Sequence, residues 1–202
     1  MSDQRVLFFG DSLVAGVGDR AGTGWAGSVV AASFASGLPL TGYNLGVRGE
    51  TSKQIASRWR AEAIPRLMPE ADCRVVFAFG ANDTTLEDNG VRVDADCSCD
   101  ALTTVLDEAG VIGLPSFVVG PAPVDDPDQN HRIRELSVFF AAACAPRQVP
   151  FVGVVEPLLA SPVWMAEVAA GDGAHPGTGG YEALAKLILD HGWVDWLRAP
   201  SE

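Results

Sequence analysis

The sequence predicts an α/β fold in which helices cover both faces of a doubly wound, five-stranded parallel sheet. Three observations carry this. Five short runs of β-branched and aromatic residues recur along the chain, and segments with helical spacing separate them. The apolar residues within the runs are mostly continuous rather than alternating, as expected of strands buried on both faces. Right-handed crossovers then leave only a few doubly wound strand orders.

The first strand, residues 6–9, reads Val-Leu-Phe-Phe and stops abruptly at Gly10-Asp11-Ser12-Leu13. A helix over 25–36 follows it. The second strand, 42–45, leads to a helix over 51–68, with Thr51 suited to its N-cap and Pro65 expected to kink it. After the third strand, 74–79, a helix over 98–109 opens with Ser98 and aligns Leu102, Val105 and Leu106 on one face. The fourth strand, 116–119, precedes a helix over 129–145. The fifth, 151–155, precedes a last helix over 178–197, which Gly192 is expected to interrupt. Residues 160–171 read either as a mobile lid or as a short irregular helix. The proline-rich stretch 121–127 follows the fourth strand, where loops of such folds line the ligand crevice, so it reads as a wall of the site rather than a linker. With no internal repeat or linker, residues 1–202 are expected to form one domain.

Composition narrows the function classes. A chain of 202 residues with 48% hydrophobic and 20% charged residues has enough apolar surface for one sizeable core. Its net charge of −12 would repel a polyanion, which argues against nucleic-acid binding as the main function. No apolar run is long enough to span a bilayer, and no signal-peptide pattern precedes the first strand, so the expectation is a soluble, cytoplasmic protein. The oligomeric state is left open. Cys97-Ser98-Cys99 has no second Cys/His pair at zinc spacing, so it reads as an ordinary polar surface turn, and no metal or cofactor is expected.

Four segments carry residues suited to chemistry. Ser12 follows a strand directly, at the edge where open α/β sheets bind ligands, although a serine there also serves as a turn cap. His175 lies in Gly171-Asp-Gly-Ala-His-Pro-Gly177, three residues after Asp172, close enough for a tight loop to bring carboxylate and imidazole together. His131 and His191 both fall in expected helices, which leaves His175 as the best available base. Asn82, in Gly80-Ala-Asn-Asp83, has an amide able to donate to an oxyanion, but it is also a good turn residue. Gly46 and Gly49 flank Val47-Arg48, and either could expose its N–H or simply let the loop turn.

Taken together, and in this order over nearly the whole chain, these segments resemble the SGNH hydrolases, also called the GDSL esterase/lipase family. Gly10-Asp-Ser-Leu13 corresponds to the first block, which would make Ser12 the nucleophile. Asn44-Leu-Gly-Val-Arg-Gly-Glu-Thr51 looks like the second, with its oxyanion glycine at Gly49, directly before the acidic residue and threonine that usually follow. Gly80-Ala-Asn-Asp83 matches the third and makes Asn82 the oxyanion side chain. Asp172-Gly-Ala-His175-Pro176 matches the fourth, giving acid and base. Asp11 and Asp83 read as residues that hold the loops rather than as members of the triad.

The resemblance implies a three-layer, flavodoxin-like α/β/α fold. It also implies a serine esterase acting through an acyl-serine, with Ser12, Gly49 and Asn82 as the oxyanion hole. It transfers nothing about the acyl group, and the expectation of small or short-acyl esters comes from the negative charge and the lack of an obvious apolar lid. A carbohydrate O-acetyl esterase or an acyl thioesterase would share this machinery, and a catalytically silent ligand-binding module is the alternative outside enzymes. Trp25, Trp59 and Trp164 could stack on a sugar, but core packing explains them more simply.

Overall fold

The structure is a computed structural model and describes residues 3–88 and 90–200. Five parallel strands form the main sheet: β1 (Gln4–Gly10), β2 (Thr41–Gly46), β3 (Asp72–Ala78), β6 (Ser116–Val119) and β7 (Phe151–Val152). Their order is β2-β1-β3-β6-β7. The chain first steps outward to β2, then crosses back over β1 to β3 and continues the other way. Loops leaving the carboxyl ends of β1 and β3 therefore diverge, and a crevice opens at this switch point.

Alternate residues of the strands feed two cores. Val6 and Phe8 of β1 join Val76, Phe117 and Val119 under helices α2 (Gly24–Ala35), α7 (Pro162–Ala170), α8 (Thr178–Ile188) and α9 (Val194–Arg198). Leu7 and Phe9 join Val75, Phe77 and Val118 under α3 (Ser52–Ala63), α4 (Ala95–Val111) and α5 (Pro127–Cys144). Three layers result, and the continuous apolar runs follow from having a core on each side. Each large apolar side chain so buried contributes roughly 1.5–3 kcal/mol. Three of the buried tryptophans also place their N–H groups: Trp59 donates to Glu108 (2.8 Å), Trp164 to the Pro123 carbonyl (3.1 Å) and Trp193 to Ser33 (2.9 Å). Trp25, Trp59 and Trp164 are at most 1% exposed, so none is free to stack on a ligand.

Several expectations shift in detail. Strand β2 lies at the sheet edge and is largely exposed, so it is not buried on both faces. The fifth strand ends at Val152, because the chain turns at Gly153 and enters a short helix, α6 (Val155–Leu159). The second helix stops at Ala63 and tightens to a 3-10 turn over Ile64–Arg66 at Pro65. The last helix breaks at His191 and Gly192, whose φ is +89°. Thr51 caps α3 with Gln54, whose Oε1 accepts the Thr51 N–H at 2.9 Å. Asp94, not Ser98, caps α4 and accepts the Cys97 N–H, which places Cys97 and Cys99 inside the helix rather than in a turn. Within residues 160–171, α7 is a regular helix rather than an irregular one, and it buries Trp164 and Val168 completely. A small antiparallel hairpin, β4 (Leu86–Glu87) and β5 (Gly90–Val91), follows the Asn82 turn and was not expected. No helix among the described residues is long and apolar enough to cross a membrane.

Candidate active site

Strand β1 delivers Ser12 to the crevice as the first residue of a one-turn helix, α1 (Ser12–Ala15). Asp11 caps that turn, its Oδ1 accepting the Leu13 N–H at 2.9 Å. The Ser12 side chain meets His175, with Oγ 2.7 Å from Nε2. His175 Nδ1 lies 2.7 Å from Asp172 Oδ2 on its other side. The assignment that satisfies all three groups has Nδ1–H donating to the carboxylate, which leaves the Nε2 lone pair for the serine hydroxyl.

The His175 loop is tight because Asp172 organises it. Asp172 Oδ1 accepts the backbone N–H groups of Ala174 (3.0 Å) and His175 (2.9 Å), while Oδ2 takes the ring. Partial burial alone would raise the Asp172 carboxyl, but those hydrogen bonds outweigh it and bring its pKa down to about 2. Asp172 therefore stays ionised whenever the protein is folded near neutral pH. Neighbouring elements hold the loop from both sides. Tyr181 donates to the Val17 carbonyl (2.7 Å), Thr178 to Asp19 (2.6 Å), and the Asp125 N–H to the Gly173 carbonyl (2.8 Å).

Asn82 opens the turn after β3. Its Nδ2 donates to the Glu50 carbonyl at 2.9 Å and, at 3.2 Å, to Asp11 Oδ2. Asp11 is 3% exposed, and burial pushes its carboxyl up to about 7, with the charges of Asp83 and Glu50 adding to the effect against the Leu13 N–H. Asp83 is fully buried and anchors the scaffold, accepting the Ser52 N–H (2.8 Å) at the start of α3 and the Ser98 hydroxyl (2.7 Å) in α4. Burial raises its carboxyl too, against those hydrogen bonds. Neither aspartate contacts His175 among the hydrogen bonds of the site; both hold loops.

The two glycines separate cleanly. A Cβ at Gly46 would lie 2.3 Å from Ala15 N, and its own N–H is held by Asn44 Oδ1 at 3.1 Å, so Gly46 is needed for close packing against α1. Gly49 has φ +75° and open space where a Cβ would sit. Its N–H donates to no acceptor among the described residues. Gly49 lies in the loop joined to Asn82 through Glu50, although it does not line the cleft at Ser12.

That cleft encloses about 330 Å³. Ser12, Asn82 and His175 line it together with the apolar Leu13, Ala81 and Val124 and the polar Thr85, Asp125, Asp126 and Gln129. The stretch 121–127 thus contributes a wall, as its position after the fourth strand suggested. Thr85 and Gln129 carry no motif and were missed in the sequence. So was Arg58, which binds Glu50 Oε2 (2.6 Å) and the carbonyls of Gly10 and Leu45.

A family model described as GDSL-like lipase/acylhydrolase matches residues 8–183. A search of curated proteins finds no match. Among solved structures, a lipase/acylhydrolase from Enterococcus faecalis superposes with a TM-score of 0.79 at 25% identity, covering 98% of each chain. An acetylxylan esterase from Geobacillus stearothermophilus superposes with a TM-score of 0.78 at 20% identity, again over 98% of each chain, a likeness of fold.

Proposed function

Because the chain belongs to the GDSL-like lipase/acylhydrolase family and is a hydrolase acting on esters, we propose that it cleaves small or short-acyl carboxylic esters through an acyl-serine on Ser12. The observation that carries this reading is the relay Ser12 Oγ, His175 Nε2, His175 Nδ1, Asp172 Oδ2, with 2.7 Å at each contact. An unassisted hydroxyl is a weak nucleophile, and a hydrogen-bonded base with an orienting carboxylate is what activates it. His175 takes the hydroxyl proton as Oγ attacks the carbonyl carbon, and Asp172 stabilises the imidazolium. The Ser12 and Gly49 N–H groups and the Asn82 amide receive the oxyanion. Collapse expels the alcohol, which takes its proton from His175 Nε2. Water then attacks the acyl-serine by the same steps and releases the acid. Residues 1–202 act as a single catalytic domain, needing only side chains and backbone amides for these steps.

Labelling with a fluorophosphonate tests this reading against that of a silent binding module. One adduct should form, on Ser12, and its rate should fall on acidification, because protonated His175 cannot accept the serine proton. Asp172, at about 2, remains charged throughout, so its own protonation plays no part in the decline. No adduct at Ser12, or a rate unchanged by acidification, would count against it.

A second reading, a carbohydrate O-acetyl esterase, is favoured by the polar residues that line the cleft. Gln129 Nε2 is committed to the Ala81 carbonyl (3.0 Å) and the Thr84 and Thr85 hydroxyls (both 3.2 Å), so its Oε1 is the atom available to a ligand. With Asp125 and Asp126 it makes a surface rich in acceptors, suited to an alcohol bearing several hydroxyls and hostile to anions. The fold shared with an acetylxylan esterase adds weight. Acetate release from acetylated xylooligosaccharides, compared with an aryl acetate and an aryl octanoate, decides. The sugar reading expects kcat/KM on the oligosaccharide to match or exceed that on the aryl acetate. A preference for the octanoate would refute both the sugar and the short-acyl readings.

A further inference from the structure

Two consecutive carbonyls in the β2–α3 loop are held by donors from a single distant segment. Asn82 Nδ2 donates to the Glu50 carbonyl at 2.9 Å, and Arg92 Nη2 donates to the adjacent Gly49 carbonyl at 3.0 Å. Both donors lie on the excursion that carries the β4–β5 hairpin. Its base is pinned by the Arg92 N–H to the Thr85 carbonyl (3.0 Å) and the Val93 N–H to the Asp83 carbonyl (3.1 Å). Arg92 is itself oriented by Glu87, whose Oε1 lies 3.3 Å from its Nε.

Gly49 needs such restraint. A glycine at φ +75° with open space beside its Cα has no side chain and no packing to keep it there. The turn closed by the Glu50 N–H to the Val47 carbonyl, at 3.4 Å, is long and holds one end weakly. Arg58, bound to Glu50 Oε2, supports the loop from the sheet side. Among the described residues, Arg92 is the one donor to the Gly49 carbonyl; it fixes the Gly49–Glu50 peptide plane, and rotation at Gly49 relative to that plane is what would swing the Gly49 N–H away from a bound oxyanion.

We propose that Arg92 is a positioning residue for ester hydrolysis: held by Glu87, it anchors the Gly49–Glu50 peptide and so limits rotation at Gly49, which keeps the Gly49 N–H, on the preceding peptide plane, aimed at the oxyanion before substrate arrives. This rests on the reading of Gly49 as an oxyanion donor. An oxyanion donor contributes to the rate only if its orientation is fixed in advance, and loss of aim has a smaller effect than loss of the donor.

The test is steady-state kinetics on an aryl acetate, with affinity for an alkylboronic acid as a probe of the tetrahedral adduct. Arg92→Ala should lower kcat about tenfold with KM within about twofold, and should weaken boronic acid binding in parallel. Arg92→Lys, which keeps one donor, should recover part of the loss. Glu87→Gln, at an exposed position, should give a smaller loss of the same kind without disturbing the fold. A role in folding alone would instead lower the unfolding midpoint and leave the ratio of boronic acid to substrate affinity unchanged. Wild-type kcat in Arg92→Ala, or a loss expressed only in KM, would overturn the clamp. Should Ser12→Ala keep wild-type turnover, the acyl-serine reading itself fails; an inactive Ser12→Ala beside a fully active Arg92→Ala removes only the clamp.

Discussion

Replacing Ser12 with alanine should lower kcat/KM for an aryl acetate by about 10⁴-fold or more, while leaving stability within about 1 kcal/mol of the parent. The two halves of this expectation come from different parts of the structure. Ser12 Oγ has His175 Nε2 as its hydrogen-bond partner, at 2.7 Å, and no other hydroxyl or thiol among the described residues is hydrogen-bonded to that ring. His175 retains Asp172 when the hydroxyl is removed, and its side chain is 15% exposed at an open cleft, so water can satisfy Nε2. The turn itself is held by Asp11 and by backbone bonds from Ala15 and Val17, none of which uses the serine side chain. Urea unfolding and kinetics on the same preparation separate the effects. A variant that kept more than about 1% of the activity would show that Ser12 is not the nucleophile.

What the sequence makes legible follows from the range of the interactions. Continuous apolar runs mark β1, β3 and β6 because each alternation of their side chains meets a core, on one face or the other. The same signal overstated β2, whose edge position depends on strand order and not on its residues. Two-residue strands such as β4 and β5 have no period to detect. Cys97 and Cys99 looked like a turn because Asp and Ser favour turns, yet Asp94 uses the same chemistry to start a helix. Within the site, Asp172 and His175 are neighbours in sequence, and a short loop suffices to pair them. The groups holding Gly49, Asp83 and Glu50, namely Arg92, Ser98 and Arg58, lie 43, 15 and 8 residues away, and no motif announces them. Composition and spacing could not separate Gly46 from Gly49; the close approach of Ala15 to one and the positive φ of the other do.

Asn82→Ala should reduce kcat by about 10²–10³, the usual cost of removing an oxyanion donor, with a much smaller change in KM. The amide has two N–H groups, and in the free enzyme both have acceptors. The 2.9 Å bond to the Glu50 carbonyl joins the two loops of the site, while the 3.2 Å contact with Asp11 Oδ2 is the longer and more readily exchanged for a substrate oxygen. Asp11 keeps the Leu13 N–H whichever way Asn82 points, so this exchange does not strand its carboxyl. Truncation to alanine removes both donors and leaves two acceptors short of a partner, which should also cost about 1–3 kcal/mol in stability. Asn82→Asp is the sharper comparison, since it preserves the shape while replacing donors with a carboxylate. Placed beside buried Asp11 and close to the developing oxyanion, that charge should depress kcat at least as far as alanine does at neutral pH. Acidification that neutralises the new carboxyl should narrow the gap between the two variants. If Asn82→Ala turned over an aryl acetate within about threefold of the parent, the oxyanion would have to be held elsewhere, and the Gly49 loop would be the place to look.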